Sequence, residues 1–363
     1  MAERAAVLRA VGAPMAVEEI CLLPLAEDQV RVRIKASGVC HSDLSLANGD
    51  LPFGTPAVLG HEGAGVIEEI GAAVTHVEPG DHVIIAWTAA CGECWFCARG
   101  EVHLCDRAIA DAYSMPYAID VNGNPLIAAM GVSSFATATN CLGRAVVKID
   151  PSIPFEIAAL VGCGVATGAG AAMNTAPVRA GSSVAVFGLG GVGLAAVLGA
   201  VVQGAGCVIV VDPVAERRTA ALTMGATDAI DPAADDVVKA IKRLTERRGV
   251  DFAFEAVGRG SVVEQAYAAT RKGGTTCVVG AARPDDSMTL SPFEFMMGAR
   301  SLVGCQYGST VPARDFPLLL DLWRQGRMPL ERLVTNRINL EDIDSAFADM
   351  KTGHGVRSVI CND

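Results

Sequence analysis

Two textures of apolar and polar positions divide this chain. Near the amino end Val30, Val32 and Ile34 alternate with Arg31, Arg33 and Lys35, a period of two that predicts a strand with one buried and one solvated face. Turn signals such as Pro79-Gly80-Asp81, just ahead of the apolar run 83–86, favour short strands over long helices in this part. From about residue 165 the apolar runs 184–187, 208–211, 252–254 and 277–279 alternate with helix-like stretches, as in a parallel sheet covered on both faces. The expected class is α/β, with a β-rich first part and a doubly wound second part. From about Tyr307 the alternation stops, and the pattern alone assigns that tail to neither part.

Composition narrows the function classes. The 363 residues are 51% hydrophobic, enough for two cores, and the formal net charge of −11 disfavours nucleic acid or an anionic membrane surface as partner. Twelve cysteines suit a disulfide scaffold only in short secreted chains, and no amino-terminal apolar core with a cleavage site precedes the first motif, so reduced thiols and a cytoplasmic location are expected. Residues 181–211 carry no charge and are long enough to cross a bilayer. They also hold eight glycines, with strand-like runs at both ends, which favours a buried strand, helix and strand.

That same stretch carries the first chemical motif. Ser183–Phe187 reads as a buried strand and is followed at once by Gly188, Gly190, Gly191 and Gly193, which open a helix expected to run to about Gln203. Glycines at this spacing allow a tight turn, close approach of backbone to a pyrophosphate and close helix packing, while the helix amino terminus favours phosphate charge. The next strand ends in Asp212, 19 residues beyond Gly193, where a carboxylate accepts hydrogen bonds from adenosine ribose hydroxyls and repels a 2′-phosphate, so NAD is expected over NADP. The bland reading is a glycine-rich turn beside a surface aspartate.

Cys91, Cys94, Cys97 and Cys105 fall within fifteen residues, the spacing of a closed four-thiolate zinc that pins a loop and leaves no position for substrate. An iron–sulfur cluster competes, although the fourth cysteine lacks the following proline of a ferredoxin run. A nucleic-acid zinc ribbon fits an acidic chain poorly.

The stretches Gly38-Val-Cys40-His-Ser-Asp43, Gly60-His-Glu-Gly-Ala-Gly65 and Gly162-Cys-Gly164, together with the cysteine cluster and glycine motif in this order, make the whole chain resemble the zinc-dependent medium-chain alcohol dehydrogenases. The resemblance implies a GroES-like catalytic domain from residues 1–164 and 307–363 and a Rossmann domain from residues 165–306, with the active site in the cleft between them. It implies two zinc ions per chain, the catalytic one held by Cys40, His61 and Cys163 with an open fourth position, the structural one by the four clustered cysteines. Two thiolates and an imidazole are a catalytic zinc set, and zinc acting as a Lewis acid lowers the pKa of a bound hydroxyl.

By the same resemblance Asp43 hydrogen-bonds His61, Glu62 lies behind the metal, and Ser42 starts proton removal from the alcohol. Many relatives end that relay in a histidine three residues further on, whereas this chain has Ser45, which has no useful acid–base pKa. His41 and Arg357 match pyrophosphate contacts, Arg217 an adenosine-ribose contact, Thr167 and Val192 the nicotinamide contacts, and Val279 a further cofactor-binding position. Leu51, Trp87 and Met130 match the alcohol channel, and the small Ala110, Ala129 and Ala281 imply room for a bulky primary alcohol, aromatic or allylic.

A thiol-dependent formaldehyde dehydrogenase acting on a hemithioacetal is the competing branch. A binding or structural protein that kept the fold without the chemistry is the alternative from another class. Partners are expected to be a small alcohol or aldehyde and a second copy of the chain, with a homodimer ahead of a homotetramer.

Overall fold

The computed structural model describes residues 3–115, 117–353 and 355–362, and the chain divides into two compact units. One comprises Met1–Cys163, Val311–Asp321 and Val334–Asp363, the other Gly164–Thr310 and Leu322–Leu333.

In the first unit a small closed barrel runs in the order Glu3–Leu8, Ala16–Leu22, Ala118–Asp120, Pro125–Ala128 and Ala57–Val58. Beside it in the chain's topology is a seven-stranded sheet centred on Gln29–Gly38. That strand does have Val30, Val32 and Ile34 fully buried, while Arg31 and Arg33 lie half-buried in ion pairs with Glu69 and with Glu3 and Glu68. It pairs antiparallel with Glu62–Ile70 and with the late strand Arg357–Cys361, so that Gly38 stands opposite both Glu62 and Val359. The tail thereby reaches the centre of the first unit, a return over about 300 residues of sequence that no local pattern announces.

The second unit is a six-stranded parallel sheet in the order Asp228–Ile230, Cys207–Val211, Ser183–Phe187, Val250–Glu255, Thr270–Val278, Ser301–Gly304. The strand order reverses beside Ser183–Phe187, where doubly wound sheets open a crevice at the carboxyl ends of their strands. Residues 181–211 fold as Ser183–Phe187, the helix Gly191–Val202 and Cys207–Val211. Among the described residues one helix is long and apolar enough to cross a membrane, Phe155–Thr175, and 83% of its apolar window is buried inside the protein.

Two stretches fall outside the domain limits expected from sequence. Residues 307–310 and Leu322–Leu333 group with the parallel-sheet unit, because Thr310 donates to the Ala166 carbonyl and Arg327 and Arg332 donate to the carbonyls of Val202 and Thr223.

Candidate metal centre and nucleotide site

Cys40 caps the amino end of the helix His41–Asn48, directly after the central strand of the first unit. Asp43, three positions in, is fully buried and accepts from the backbone N–H of Cys40 (3.4 Å) and of Gly60 (3.0 Å), an arrangement that the positive helix terminus favours. The same carboxylate meets His61 Nδ1 at 3.0 Å. A carboxylate can only accept here, so Nδ1 carries the proton and Nε2 is left as the donor atom for a metal.

Cys163 arrives from a third direction. It lies in the π-helical turn Val161–Val165 within the helix Phe155–Thr175, a local distortion found often at functional sites. Beside it, a Cβ on Gly162 would sit 3.2 Å from the Ile85 carbonyl, so the close approach of this turn to the sheet requires glycine or a shift.

Donor atoms of Cys40, His61, Glu62 and Cys163 all lie within 4.8 Å of one another, and all four residues are buried. Glu62 is held from behind: Arg357 Nη2 donates to Glu62 Oε1 at 2.6 Å, and Arg357 Nη1 donates to the Val39 carbonyl at 2.9 Å. A Cβ on Gly38 would fall 2.0 Å from Glu62 Oε2, so this glycine makes the space for the carboxylate. Two thiols and an imidazole, with a carboxylate already neutralised by a guanidinium, fit a tetrahedral zinc with one open position.

The electrostatics agree with cation binding. The hydrogen bond from Cys163 pulls the Cys40 thiol well below its usual range, helped by the charges of His61 and Arg357 against the effect of burial. Cys163 is pushed up by its bond to Cys40 and by burial. Burial works to lower His61, but Asp43 and then Cys40 outweigh it and hold the imidazole well above its usual value. Burial raises Glu62 to about 7, with Arg357 opposing.

The second cluster is local. Cys91, Cys94, Cys97 and Cys105 also converge within 4.8 Å, with Sγ atoms 4.0 Å apart for Cys91 and Cys97 and 3.9 Å for Cys94 and Cys105. Backbone N–H groups of Cys91 and Cys94 donate to the sulfurs of Cys105 and Cys91 at 3.3 Å. Bonds from the backbone of Cys97 and Asp106 lower Cys94 to about 6, whereas burial raises Cys97 to about 12. Four sulfurs and no oxygen fit a closed structural zinc.

In the second unit the glycines have separable jobs. Gly188 sits at φ +87°, a left-handed conformation that admits glycine without strain. A Cβ on Gly193 would come 1.8 Å from the Gly188 carbonyl, so its absence lets the helix Gly191–Val202 start against the turn. Gly190, its cap, has nothing within 4 Å of a Cβ position, which leaves open approach for a diphosphate. Asp212 is buried, and its two oxygens accept from the backbone N–H of Leu189 (2.7 Å) and of Val214 (2.8 Å). Each oxygen keeps a second lone pair for a ribose hydroxyl.

Other expected positions scatter. His41 is exposed and Ser42 half-buried, its Oγ 3.9 Å from Cys40 Sγ. Thr167, Val192, Val279 and Arg217 are half-buried in the second unit. Arg357, expected to be a pyrophosphate contact, is buried and donates to Glu62 and Val39, its strand pairing with Gln29–Gly38 so that Val359 stands opposite Gly38. Leu51 and Met130 pack against one core cluster and Trp87 against another. Ala129, expected to leave pocket space, has no exposed surface and is part of the core around Leu44 and Phe135. Ala110 and Ala281 are exposed.

Two residues beside the candidate nucleotide motif were not singled out from the sequence. Arg218 donates to the Asp212 carbonyl at 2.6 Å and pairs with Asp231 at 3.0 Å; only its place six residues after a strand-end acid hinted at this. Glu255, fully buried at the carboxyl end of Val250–Glu255, accepts from Val257 and Gly258.

Residues 26–151 match the family of alcohol dehydrogenase GroES-like domains, and residues 191–325 match the zinc-binding dehydrogenases. The chain belongs to the zinc-dependent medium-chain alcohol dehydrogenases. This dehydrogenase is 40% identical to the NDMA-dependent alcohol dehydrogenase of Amycolatopsis methanolica over 99% of both chains. It is 39% identical to the S-(hydroxymethyl)glutathione dehydrogenase of Escherichia coli over 99% of this chain and 100% of that one. Among solved structures, benzyl alcohol dehydrogenase from Acinetobacter calcoaceticus is similar with a TM-score of 0.94, 34% identity and full coverage of both chains. Its β-rich and parallel-sheet parts are thus those of an oxidoreductase acting on alcohols.

Proposed function

We propose that this dehydrogenase catalyses reversible hydride transfer between a primary alcohol, aromatic or allylic, and NAD, with Cys40, His61 and Cys163 as ligands of the catalytic zinc and Cys91, Cys94, Cys97 and Cys105 as ligands of a structural zinc. The observation that carries the reading is the buried convergence of Cys40, His61 and Cys163 with His61 already oriented by Asp43. When bound, zinc supplies a Lewis acid that lowers the pKa of the alcohol hydroxyl, and NAD accepts the hydride.

The chain's own residues do the rest. Asp43 fixes the imidazole tautomer and ring direction. Arg357 offsets the Glu62 charge behind the thiols. Ser42, beside Cys40, takes the alcohol proton; with Ser45 in place of a histidine, that proton passes on to water. In the second unit Gly190 and the amino end of Gly191–Val202 hold the diphosphate, and Asp212 takes the ribose hydroxyls and disfavours a 2′-phosphate. Leu51, Trp87 and Met130 supply apolar wall for the carbon chain, and walls of this kind discriminate by only ~1–3 kcal/mol per methylene.

The test is a steady-state screen with NAD and NADP against short, aromatic, terpenoid and thiol-adduct substrates. Benzyl-type alcohols with NAD are expected to give the highest kcat/KM; ethanol as best substrate with benzyl alcohol ignored would overturn the substrate class. The identity with a S-(hydroxymethyl)glutathione dehydrogenase favours one second reading, in which formaldehyde is oxidised only when a thiol is added.

The assembly in this reading is a cytoplasmic homodimer. Its support is the edge strand Ser301–Gly304, which has a sheet neighbour on one side only, and Met296 next to it, 62% exposed. Light scattering at the mass of two chains, lost on Leu302→Pro, is the expected result.

A further inference from the structure

We propose that Glu255 is a positioning residue for the dinucleotide: it fixes the loop beside the glycine turn and so holds that turn in the shape a diphosphate needs, an inference that rests on the reading of the turn as the cofactor's seat. The residue ends the strand Val250–Glu255, which pairs with Ser183–Phe187 so that Glu255 stands opposite Phe187. Both strands deliver their next residues to the same edge of the sheet, where its order reverses. Three loops meet at Glu255. Its Oε1 accepts from the backbone N–H groups of Val257 (2.8 Å) and Gly258 (2.7 Å), closing residues 256–258 into a tight turn in which Gly258 has φ +78°. Its carbonyl accepts from the N–H groups of Val279 and Gly280 at 2.8 and 2.9 Å, which ties in the end of the next strand, Thr270–Val278. The following residue, Ala256, donates to the Phe187 carbonyl at 2.8 Å.

The turn so formed presses on the glycine motif. A Cβ on Gly188 would lie 2.7 Å from Val257 Cγ2 and 3.2 Å from the Ala256 carbonyl, and one on Gly280 would lie 2.1 Å from the Gly258 nitrogen. The 256–258 turn is therefore wedged between Gly188 and Gly280, and a shift in it is felt at both. On its other side the glycine turn is gripped by Asp212, through the Leu189 N–H at 2.7 Å. Two strand-end acids hold it between them.

The choice of residue points to function rather than to folding alone. Glu255 has no exposed surface, and its second oxygen, Oε2, is buried without a hydrogen-bond partner. Burial raises the carboxyl above its usual range, and backbone N–H groups, those of Gly258 and Val257 foremost, work against it. A buried carboxylate with an unmet oxygen costs free energy, and a neutral cap could close the turn without that cost. What the charge adds is grip, because N–H bonds to a carboxylate are roughly twice as strong as bonds to a neutral acceptor. Costs of this kind are kept where a site needs its shape held.

The test is equilibrium titration of the full-length, zinc-loaded protein with NADH and with ADP-ribose, which keeps the diphosphate and lacks the nicotinamide. Glu255→Ala is expected to raise both Kd values by about tenfold or more, the effect of losing a buried acceptor, while zinc content and the KM for the alcohol stay as in the wild type. Glu255→Gln, which keeps an acceptor and loses the charge, falls between the two. Lost zinc and lost kcat with both Kd values unchanged would show a role in folding only and overturn the proposal. NADH weakened with ADP-ribose unchanged would move the effect to the nicotinamide end and overturn it as well. A wild type that binds no ADP-ribose sinks the cofactor reading together with this role of Glu255, whereas equal ADP-ribose affinity in wild type and Glu255→Ala sinks the role of Glu255 alone. Should Glu255→Ala not fold by circular dichroism, Glu255→Gln decides, and an ADP-ribose Kd at the wild-type value in it overturns the proposal.

Discussion

In the four-cysteine cluster every donor comes from fifteen consecutive residues of a loop, and three of the four are only half-buried. Cys40, His61 and Cys163 come from a helix cap, a strand entry and a π-turn, are all buried, and sit among Asp43, Glu62 and Arg357. The loop cluster is framed by two short 3-10 turns of its own rather than by sheet pairing, so a metal there adds order to the chain. The buried cluster is held by two sheet pairings and a helix, so its geometry precedes the metal and its charges tune what the metal does.

The largest contrast is expected between ligand losses. His61→Ala lowers kcat/KM by at least about 10³-fold, the several kcal/mol that a Lewis acid contributes, with little change in protease resistance. Cys94→Ala does the reverse, opening residues 88–106 to limited proteolysis, as a closed zinc site contributes folding energy to its own loop. Equal proteolytic damage in both variants would erase the distinction.

Next comes the ion pair behind the buried cluster. Glu62→Gln leaves Arg357 buried without its charge partner, and urea unfolding is expected to show a loss of about 3–5 kcal/mol. A change within error would mean that water reaches this arginine. Asp43→Asn keeps the shape but loosens control of the His61 tautomer, lowering metal affinity or activity by about 10–100-fold; a chelator titration coinciding with that of the wild type would remove Asp43 from the account.

The smallest effect concerns the proton path. Wild-type kcat is expected to lack an inflection near the ordinary histidine pKa, and Ser45→His to introduce one, since imidazole titrates there and a hydroxyl does not. Superimposable pH profiles would show that proton release does not pass this position.

The same contrast explains what could be read from the chain beforehand. The cysteine loop and the glycine turn are short-range objects, and their spacing alone carried the chemistry: Gly188 takes the left-handed turn, and Gly193 has no room for a side chain. The alternation at Val30, Val32 and Ile34 marked a strand correctly because burial on one face is a local property. Grouping Cys40 with His61 and Cys163 needed family resemblance, since about 100 residues separate the last two. The bond of Arg357 to Glu62 was not legible for the same physical reason: only the pairing of Arg357–Cys361 with Gln29–Gly38 brings the two together. Ala129 shows the limit for pockets, because a small residue signals space only where its neighbours do not fill it, and Leu44 and Phe135 do. Residues 322–333, expected in the catalytic domain with the rest of 307–363, group with the parallel-sheet unit, to which arginine bonds to distant carbonyls tie them.

Zinc content and NAD reduction with benzyl alcohol, measured on the same preparations of wild type and Cys40→Ala, test the central assignment most directly. The account predicts about two zinc ions per chain with turnover in the wild type and about one, without turnover, in the variant. A Cys40→Ala protein that keeps two zinc ions, or that still reduces NAD at the wild-type rate, would contradict it.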